Sequence, residues 1–316
     1  MKKLLLTRAF PQATIDAAFG YFDVTVRDQT EGMSVAEAAQ ALRDYDAILL
    51  TLGDQFSAKA FAGGDIRCGV LGNFGVGYNH IDVDAAKAAG MQVSNTPDVV
   101  TDATADIAMT LILAACRRAG EGERMLRDSA WTGWHPTQML GTHVTGKRLG
   151  IIGMGRIGQA VAKRAHYGFD MPVIYFNRSK KEVAVPSRQV DTLEALMSQS
   201  DVIVVTVPGG GANTKLIDAA AIAQMGPGAV FVNVARGDVV DEEALIAALQ
   251  DRRIAAAGLD VYAAEPFVPP ALIALENAVL LPHLGTAALE VREQMGQMAL
   301  DNIIAWDEGR ALPQAV

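Results

Sequence analysis

Residues 149–158 are Leu149-Gly150-Ile151-Ile152-Gly153-Met154-Gly155-Arg156-Ile157-Gly158, and they decide the fold of the surrounding chain. An apolar run typical of a buried strand leads into the pattern G-x-G-x-x-G, and helix-forming residues follow over Gln159–His166. In this pattern the first glycine permits a tight turn, the second lets the backbone approach a pyrophosphate, and the third lets the helix pack closely on the strand. The helix N-terminus then faces the anion. The stretch predicts a dinucleotide-binding strand, turn and helix, with a purely structural glycine-rich turn as the alternative.

On both sides of this stretch, short apolar runs alternate with helix-forming segments, which is typical of a parallel sheet covered by helices. The strand candidates of the first third are Lys3–Thr7, Val24–Arg27, Ala47–Leu52, Gly69–Asn73 and Gln92–Asn95. Those of the second series are Leu149–Met154, Val173–Asn177, Val202–Val207, Val230–Ala235, Ala257–Val261 and Val279–Leu281. Six strands with intervening helices are what a complete dinucleotide-binding sheet needs.

Two domains are expected, because 316 residues exceed the usual size of one small domain. A proline-free helical stretch from Thr101 to about Leu126 has the length of a helix that connects two domains, and a last helix is predicted over Leu289–Asp307. Shorter helices are predicted over Ser34–Leu42, which opens with a capping box of Ser34 and Glu37, and over Val83–Ala89. The predicted fold is α/β, with residues 1–98 and 287–316 in one parallel-sheet domain and 99–286 in the dinucleotide-binding domain.

Bulk composition narrows the classes of partner. The net charge of −9 argues against nucleic acid, which requires a basic face, although a local arginine cluster can still bind a small anion. The two cysteines are far apart and lack CxxC spacing. We therefore expect no metal site and no disulfide framework, and we expect a cytoplasmic location. The N-terminal run of three leucines is too short for an export signal, and no apolar stretch approaches the roughly 20 residues that span a bilayer.

The end of the second strand in this series predicts which dinucleotide binds. An NAD site usually carries an acidic residue about 20 positions after the glycines, where it accepts the ribose hydroxyls, but Asn177 stands there. Without that carboxylate a 2′-phosphate is not repelled, and Arg178 and Ser179 can donate hydrogen bonds to it, with Lys180 and Lys181 adding positive potential. We therefore expect NADP(H), with NAD(H) less favoured; an exposed polar turn with solvated lysines is the alternative.

Polar residues follow three strands of the second series, where ligands of such sheets bind. Arg236 follows the strand ending at Ala235, Asp260 and Glu265 follow the next, and His283 follows the last. Each also has a structural explanation, such as an ion pair, a turn or a hydrogen-bonded core histidine. Together they fit the reduction of a 2-oxo acid, which requires a cation for the carboxylate, a proton donor at the carbonyl oxygen and a carboxylate that keeps the donor protonated.

Six ordered blocks of this sequence resemble the D-isomer-specific 2-hydroxyacid dehydrogenases, and within that family the glyoxylate and hydroxypyruvate reductases. The resemblance extends over nearly the whole chain. The blocks are Leu71–Asp82, Thr96–Asp102, Gly153–Gly158, Asn233–Gly237, Gly258–Pro266 and Leu281–Thr286. The resemblance implies two parallel-sheet domains of the Rossmann-like or flavodoxin-like kind, with the active-site cleft between them and residues 1–98 and 287–316 forming the substrate domain.

The resemblance also implies roles for individual residues. Arg236 is expected to bind the carboxylate and carbonyl oxygen of the substrate, and His283 to donate the proton while Glu265 hydrogen-bonds it. Asp260 is expected near the nicotinamide carboxamide. The substrate contacts implied are Leu52, Gly53, the backbone amides of Val76 and Gly77, Arg236 and His283. The cofactor contacts implied are Thr104, Gly153, Met154, Gly155, Arg156, Ile157, Gly158, Asn177, Arg178, Ser179, Val207, Pro208, Thr214, Val234, Ala235, Asp260, His283 and Gly285.

The expected activity is the NADP(H)-dependent reduction of a small 2-oxo acid such as glyoxylate or hydroxypyruvate, D-specific where the product is chiral, by a homodimer. A loop with Trp131 and Trp134 is expected either to wall a neighbouring subunit's pocket or to pack at an interface. Pro208–Ala212 departs from the family, in which bulkier residues often follow this strand. Two alternatives stay open: the same chemistry on a bulkier 2-oxo acid or phosphite, and a dinucleotide-sensing, corepressor-like binding protein of the same fold.

Overall fold

The computed structural model describes all residues from Met1 to Val316. Contacts between residues divide the chain into two units. The first consists of Met1–Val100 and Thr286–Val316, and the second of Thr101–Gly285. Each unit is built on one parallel sheet.

The first unit contains a five-stranded sheet in the order β2-β1-β3-β4-β5. Its strands are β1 (Lys3–Leu6), β2 (Asp23–Val26), β3 (Ala47–Thr51), β4 (Val70–Phe74) and β5 (Gln92–Ser94). Its helices are α1 (Gln12–Phe19), α2 (Val35–Asp44), α3 (Ala58–Phe61), α4 (Val83–Ala88) and, at the end of the chain, α12 (Leu289–Asp307). All neighbouring strands are parallel, which is the flavodoxin-like arrangement.

Helices cover both faces of this sheet, which explains why its strands are continuous apolar runs. Leu4, Leu6 and Leu49 are fully buried on the face covered by α1 and α12. Ile48 and Leu50 are fully buried on the opposite face, in the same core cluster as residues of α2 and α3. The predicted helix over Leu289–Asp307 is confirmed, and it packs on β4 within this unit.

The second unit contains a seven-stranded parallel sheet in the order β12-β11-β10-β9-β6-β7-β8. Its strands are β6 (Leu149–Ile152), β7 (Val173–Phe176), β8 (Ser187–Gln189), β9 (Val202–Val205), β10 (Val230–Asn233), β11 (Ala256–Leu259) and β12 (Ala278–Leu280). Its helices are α5 (Thr101–Cys116), α6 (Ala119–Arg127), α7 (Arg156–Phe169), α8 (Leu193–Gln199), α9 (Ala219–Ala223), α10 (Glu242–Gln250) and α11 (Pro270–Ile273). The strand order reverses between β6 and β9, which is the switch point at which dinucleotides bind in such sheets.

The predicted α/β class with two parallel-sheet units is confirmed, and two elements differ from prediction. The single helix expected from Thr101 to Leu126 is two helices, α5 and α6. Arg118 between them adopts a left-handed backbone with φ of 53°, which ends one helix and sets a new direction for the next. The strand β8 was not predicted, because its three residues Ser187, Arg188 and Gln189 are polar and pair on one side only, at the sheet edge.

None of the helices combines the length and apolar character that a membrane crossing requires. No group of three or more histidine, cysteine, aspartate or glutamate side chains is arranged to hold a metal ion. Both cysteines are buried and free, and burial raises the pKa of Cys68 to about 12 and that of Cys116 to about 11.

Candidate active site

The predicted site residues of the second unit lie at one edge of its sheet. All seven strands are parallel, so the loops that leave β6, β7, β9, β10, β11 and β12 emerge on the same side. These loops carry the glycine turn, Asn177, Arg236, Glu265 and His283. The sheet order therefore brings together residues that are far apart in sequence.

The turn after β6 has the close contacts that its glycines predict. Gly153 has a φ of 98°, and a Cβ there would lie 2.7 Å from Val207 Cγ1. A Cβ on Gly158 would lie 2.2 Å from the carbonyl oxygen of Gly153, so the helix approaches the turn as closely as the backbone allows. The hydroxyl of Thr206, just after β9, donates to that carbonyl over 2.6 Å and fixes the orientation of its peptide plane.

The N-terminus of α7 fits an anionic group. Gly155 is its N-cap and supplies no side-chain oxygen, whereas α2, α4, α8, α9 and α10 each begin with a side chain that accepts a backbone N–H. A Cβ on Gly155 would meet no atom within 4 Å, so the space in front of the turn is open. The residues present therefore suit a pyrophosphate, held by the first-turn N–H groups of a 14-residue helix.

The side chain of Asn177 is hydrogen-bonded to the glycine turn. Its Oδ1 accepts the backbone N–H of Met154 over 3.2 Å, and its Nδ2 donates to the carbonyl of Ser179 over 2.7 Å. Gln189 Nε2 donates to the Asn177 carbonyl over 2.8 Å. The side chain thus ties the turn after β6 to the loop after β7 without a negative charge.

The loop after β7 is exposed and positively charged. Arg178, Ser179, Lys180 and Lys181 are exposed, and none of the three cations among them forms an ion pair. Lys180, Lys181 and Arg188 line an open groove of about 770 Å³ that Tyr175 and Asp191 also border. Uncompensated cations beside the turn create a positive potential that attracts an anion.

His283 and Glu265 form a directed pair. His283 Nδ1 lies 2.7 Å from Glu265 Oε2, and each side chain is about three-tenths exposed. A carboxylate oxygen only accepts hydrogen bonds, so Nδ1 carries the hydrogen and Nε2 is the ring nitrogen available for proton transfer. The other carboxylate oxygen of Glu265 accepts the backbone N–H of Tyr262 over 2.9 Å, which orients the glutamate from β11.

Asp260 holds the segment that carries His283. The two oxygens of this buried carboxylate accept the N–H groups of Leu284 and Gly285 over 2.6 and 2.8 Å, and its backbone carbonyl accepts the N–H of His283 over 3.0 Å. His283 itself adopts a left-handed backbone with φ of 55°. Burial raises the pKa of Asp260, against the opposing effect of these backbone hydrogen bonds.

Arg236 leaves β10 on a backbone that a buried asparagine fixes. Asn233 Oδ1 accepts the N–H of Ala235 over 3.0 Å, and Asn233 Nδ2 donates to the carbonyl of Arg236 over 2.9 Å. The guanidinium donates from Nη1 to the Ala235 carbonyl over 2.7 Å. The arginine is half-buried and takes part in no ion pair within 4.0 Å, so most of its donors remain for a ligand.

The charges of Arg236, Glu265 and His283 act on one another. Burial lowers the pKa of Arg236, while Glu265 and Asp238 counteract this. For Glu265, burial alone would raise the pKa, but the hydrogen bond and charge of His283, with smaller effects of the Tyr262 amide and Arg236, bring it below its ordinary value. Glu265 is therefore ionised at neutral pH, with one of its carboxylate oxygens against the Nδ1 side of the His283 ring.

The other cofactor contacts expected from the sequence occupy the same sheet edge. Thr104 is buried in α5, and a Cβ on Gly285 would lie 3.6 Å from its hydroxyl and 3.3 Å from Asp260 Oδ2. Val207 and Pro208 follow β9, and Val234 and Ala235 are buried after β10. Thr214 is exposed further along the loop after β9.

The substrate contacts expected in the first unit lie after β3 and β4. Leu52 and Gly53 are exposed just after β3, and Gly53 has a φ of 94°. Val76 and Gly77 follow β4, and their N–H groups make no hydrogen bond within the unit. Two successive unpartnered amides in a turn are suited to an anion.

Several residues with structural roles at these loops were not predicted. Thr206 and Asn233 orient the turns after β6 and β10, and Asn73 holds the loop after β4. A polar residue within an otherwise apolar strand, as Asn73 and Asn233 are, was the sequence signal that could have marked them as buried polar groups in need of hydrogen-bond partners.

The second sheet is doubly wound, with an uncapped helix at a glycine turn and the hydrogen-bonded pair of His283 and Glu265 at the same sheet edge as Arg236. These features are typical of a nicotinamide-dinucleotide oxidoreductase of the two-domain α/β class. Residues 109–285 match the family model of the D-isomer specific 2-hydroxyacid dehydrogenase, NAD binding domain. The chain is 40% identical to a glyoxylate reductase of Thermococcus gammatolerans, over 99% of this chain and 95% of that protein. It is 38% identical to a glycerate dehydrogenase of Hyphomicrobium methylovorum, over 100% and 99% of the two chains.

The structure is similar to an NADPH-dependent glyoxylate/hydroxypyruvate reductase of Sinorhizobium meliloti, solved in complex with NADP and malonate. The TM-score is 0.88 at 31% identity, over 100% of this chain and 96% of that chain. The chain belongs to the D-isomer-specific 2-hydroxyacid dehydrogenase family.

Proposed function

We propose that this protein reduces a small 2-oxo acid to the 2-hydroxy acid with NADPH, and that the product is the D-isomer where it is chiral. The observation that carries the proposal is the pair of His283 and Glu265, with Nδ1 and Oε2 2.7 Å apart, at the same sheet edge as Arg236 and the glycine turn. A proton donor, a cation and a dinucleotide turn are three requirements of this reduction.

Arg236 binds the carboxylate of the substrate and polarises its carbonyl oxygen in this proposal. Because the guanidinium is half-buried, its electrostatic attraction to a bound carboxylate is less weakened by water than that of an exposed arginine. Its planar set of donors matches a carboxylate and a neighbouring oxygen. In the first unit, we assign the amides of Val76 and Gly77 to binding of the substrate carboxylate. The loop of Leu52 and Gly53 is assigned to the lining of the substrate pocket.

His283 donates a proton from Nε2 to the carbonyl oxygen as that oxygen becomes negatively charged. A reduced nicotinamide, when bound, supplies the hydride for the 2-oxo carbon. Glu265 holds the ring in one orientation through its contact with Nδ1. Asp260 holds the backbone of His283, and its position after β11 assigns it to the neighbourhood of the nicotinamide carboxamide.

NADP(H) is the proposed cofactor, with NAD(H) less favoured. Gly153–Gly158 are assigned to the pyrophosphate, and Arg178 and Ser179 to the 2′-phosphate. Asn177 supports this assignment because it occupies the usual carboxylate position without charge and is already hydrogen-bonded to Met154 and Ser179. Thr104, Val207, Pro208, Thr214, Val234, Ala235 and Gly285 are assigned as further cofactor contacts.

Glyoxylate and hydroxypyruvate are the proposed substrates. The relatives named above are a glyoxylate reductase, a glycerate dehydrogenase and a glyoxylate/hydroxypyruvate reductase solved with NADP and the dicarboxylate malonate. We further propose a cytoplasmic homodimer, supported by an exposed apolar segment that includes Leu126, Trp131, Trp134 and Leu140.

The test follows the loss of NADPH absorbance with glyoxylate, hydroxypyruvate, pyruvate and phenylpyruvate in parallel. With phosphite the reaction is the reduction of NADP⁺, so the gain of NADPH absorbance is followed instead. We expect the highest kcat/KM with glyoxylate or hydroxypyruvate, and a lower value when NADH replaces NADPH. Turnover of phosphite alone would show that phosphite, and not a 2-oxo acid, is the substrate. An absence of turnover with every 2-oxo acid would refute the proposal.

A further inference from the structure

The loop after β4 is held by hydrogen bonds to three successive carbonyl groups. Asn73 Nδ2 donates to the carbonyls of Gly75 and Gly77 over 2.9 and 3.1 Å. Asn95 Nδ2 donates to the carbonyl of Val76 over 2.9 Å, and the N–H of Thr96 donates to Gly75 over 3.0 Å. Every carbonyl from Gly75 to Gly77 is therefore satisfied from inside the unit.

The consequence falls on the amide groups of the same peptides. A peptide unit is planar, so a carbonyl that is held on one side directs the linked N–H to the other side. The Gly75 carbonyl controls the N–H of Val76, and the Val76 carbonyl controls the N–H of Gly77. These two N–H groups make no hydrogen bond within the unit, whereas the three carbonyls of Gly75, Val76 and Gly77 do.

Asn73 is itself fixed, which makes it a suitable anchor. It lies in β4 and is fully buried, and both hydrogens of its amide are used by the two carbonyls. Its Oδ1 lies 3.1 Å from His80 Nε2, and because an amide oxygen only accepts, His80 Nε2 is the donor. The histidine therefore sets which way the Asn73 amide points.

We propose that Asn73, oriented by His80 and assisted by Asn95, is a positioning residue that presents the Val76 and Gly77 amides to the carboxylate of the substrate. This inference rests on the proposed function and adds a residue that touches neither substrate nor cofactor. Nothing in the sequence pattern around β4 distinguishes this role from that of a buried polar core residue, and the hydrogen bonds do.

The test compares Asn73→Ala with Asn277→Ala in the full chain. Asn277 is a matched control, because it is also a buried asparagine whose Nδ2 donates to two backbone carbonyls, those of Leu249 and Ala255, each over 3.2 Å. Both variants lose the same kind of hydrogen bonds, but only the first loosens the loop after β4.

For Asn73→Ala we expect the KM of glyoxylate to rise on the order of tenfold, with kcat at saturation and the Kd of NADPH changed by less than about twofold. The Kd of oxalate, an unreactive planar dicarboxylate, measured by calorimetry on the NADPH complex, should rise in the same proportion. Asn277→Ala should leave the KM and both Kd values unchanged. If Asn73→Ala does not fold, Asn95→Ala removes one carbonyl contact near the surface and should raise the same KM and oxalate Kd by about threefold.

An unchanged KM and oxalate Kd in a folded Asn73→Ala, or in Asn95→Ala where that variant replaces it, would overturn the proposal. So would equal losses in kcat, KM and NADPH affinity, since these indicate a structural defect. If the unmodified protein turns over no 2-oxo acid, the proposed function fails separately, and the oxalate titrations still decide whether Asn73 positions an anion-binding loop.

Discussion

Single residues at this site depend on the backbone that carries them. His283 has a left-handed backbone, and three hydrogen bonds from its segment to Asp260 keep it there. Arg236 depends in the same way on Asn233. Arg236 and His283 are thus each supported by a buried polar residue at the end of the adjoining strand, and loss of that support should mimic loss of the side chain.

Gly209 leaves room for the side chain of Arg236. A Cβ there would lie 2.6 Å from Arg236 Cγ and 2.7 Å from Asp238 Oδ1, closer than real atoms approach. The glycine lets the loop after β9 pack on the stem of the arginine. Gly209→Leu should displace the guanidinium and raise the KM of the 2-oxo acid about tenfold, with a smaller effect on the Kd of NADPH.

Steady-state kinetics and NADPH titration of the purified variant check this expectation. Gly226→Ala is the control, because a Cβ at that glycine meets no atom within 4 Å. A normal KM in Gly209→Leu would show that the arginine is free to move without loss of substrate binding.

At the scale of elements, the sequence was most informative where local chemistry decides the structure. The glycine turn after β6 and the capping box of α2 appear as predicted, because each depends on residue types within a few positions. The break at Arg118 could not be predicted, since a non-glycine residue in a left-handed conformation has no local signal. The hydrogen bonds of Asn73 also could not, because they join β4 to the loop beyond it and depend on the sheet order.

The loop after β7 is the element that should decide cofactor preference. Asn177→Asp combined with Arg178→Ala introduces a carboxylate for ribose hydroxyls and removes a cation for the 2′-phosphate. The ratio of kcat/KM for NADPH to that for NADH should fall on the order of a hundredfold. Arg253→Ala, which removes a surface arginine before β11 at the opposite sheet edge, is the control and should leave the ratio unchanged. An unchanged ratio in the double variant would place the phosphate site elsewhere.

For the whole molecule, a group of exposed apolar side chains in one short segment supports the proposed association of copies. Trp134 is 79% exposed, Leu140 68%, Leu126 61% and Trp131 50%, all within fifteen residues of sequence. Such a concentration on a monomer surface is uncommon, and aromatic residues are enriched at the centres of interfaces. This surface is the basis of the proposed homodimer.

Light scattering after size-exclusion chromatography tests the dimer. The protein should have twice its chain mass of 33.4 kDa, and Trp134→Ser with Leu140→Ser should shift it toward the single-chain mass. Phe19→Ser replaces an apolar residue of similar exposure outside this segment and should leave the mass unchanged. A single-chain mass for the unmodified protein would refute the proposed homodimer.

The role of His283 as proton donor is tested most directly by the turnover of His283→Ala beside that of the unmodified protein, at saturating NADPH and glyoxylate. Loss of a general acid should reduce kcat by about 10²- to 10⁴-fold. The Kd of NADPH, followed by fluorescence, should change little, and the exposed His143→Ala should keep full activity. A His283→Ala protein that binds NADPH normally and still reduces glyoxylate at the unmodified rate would contradict the account.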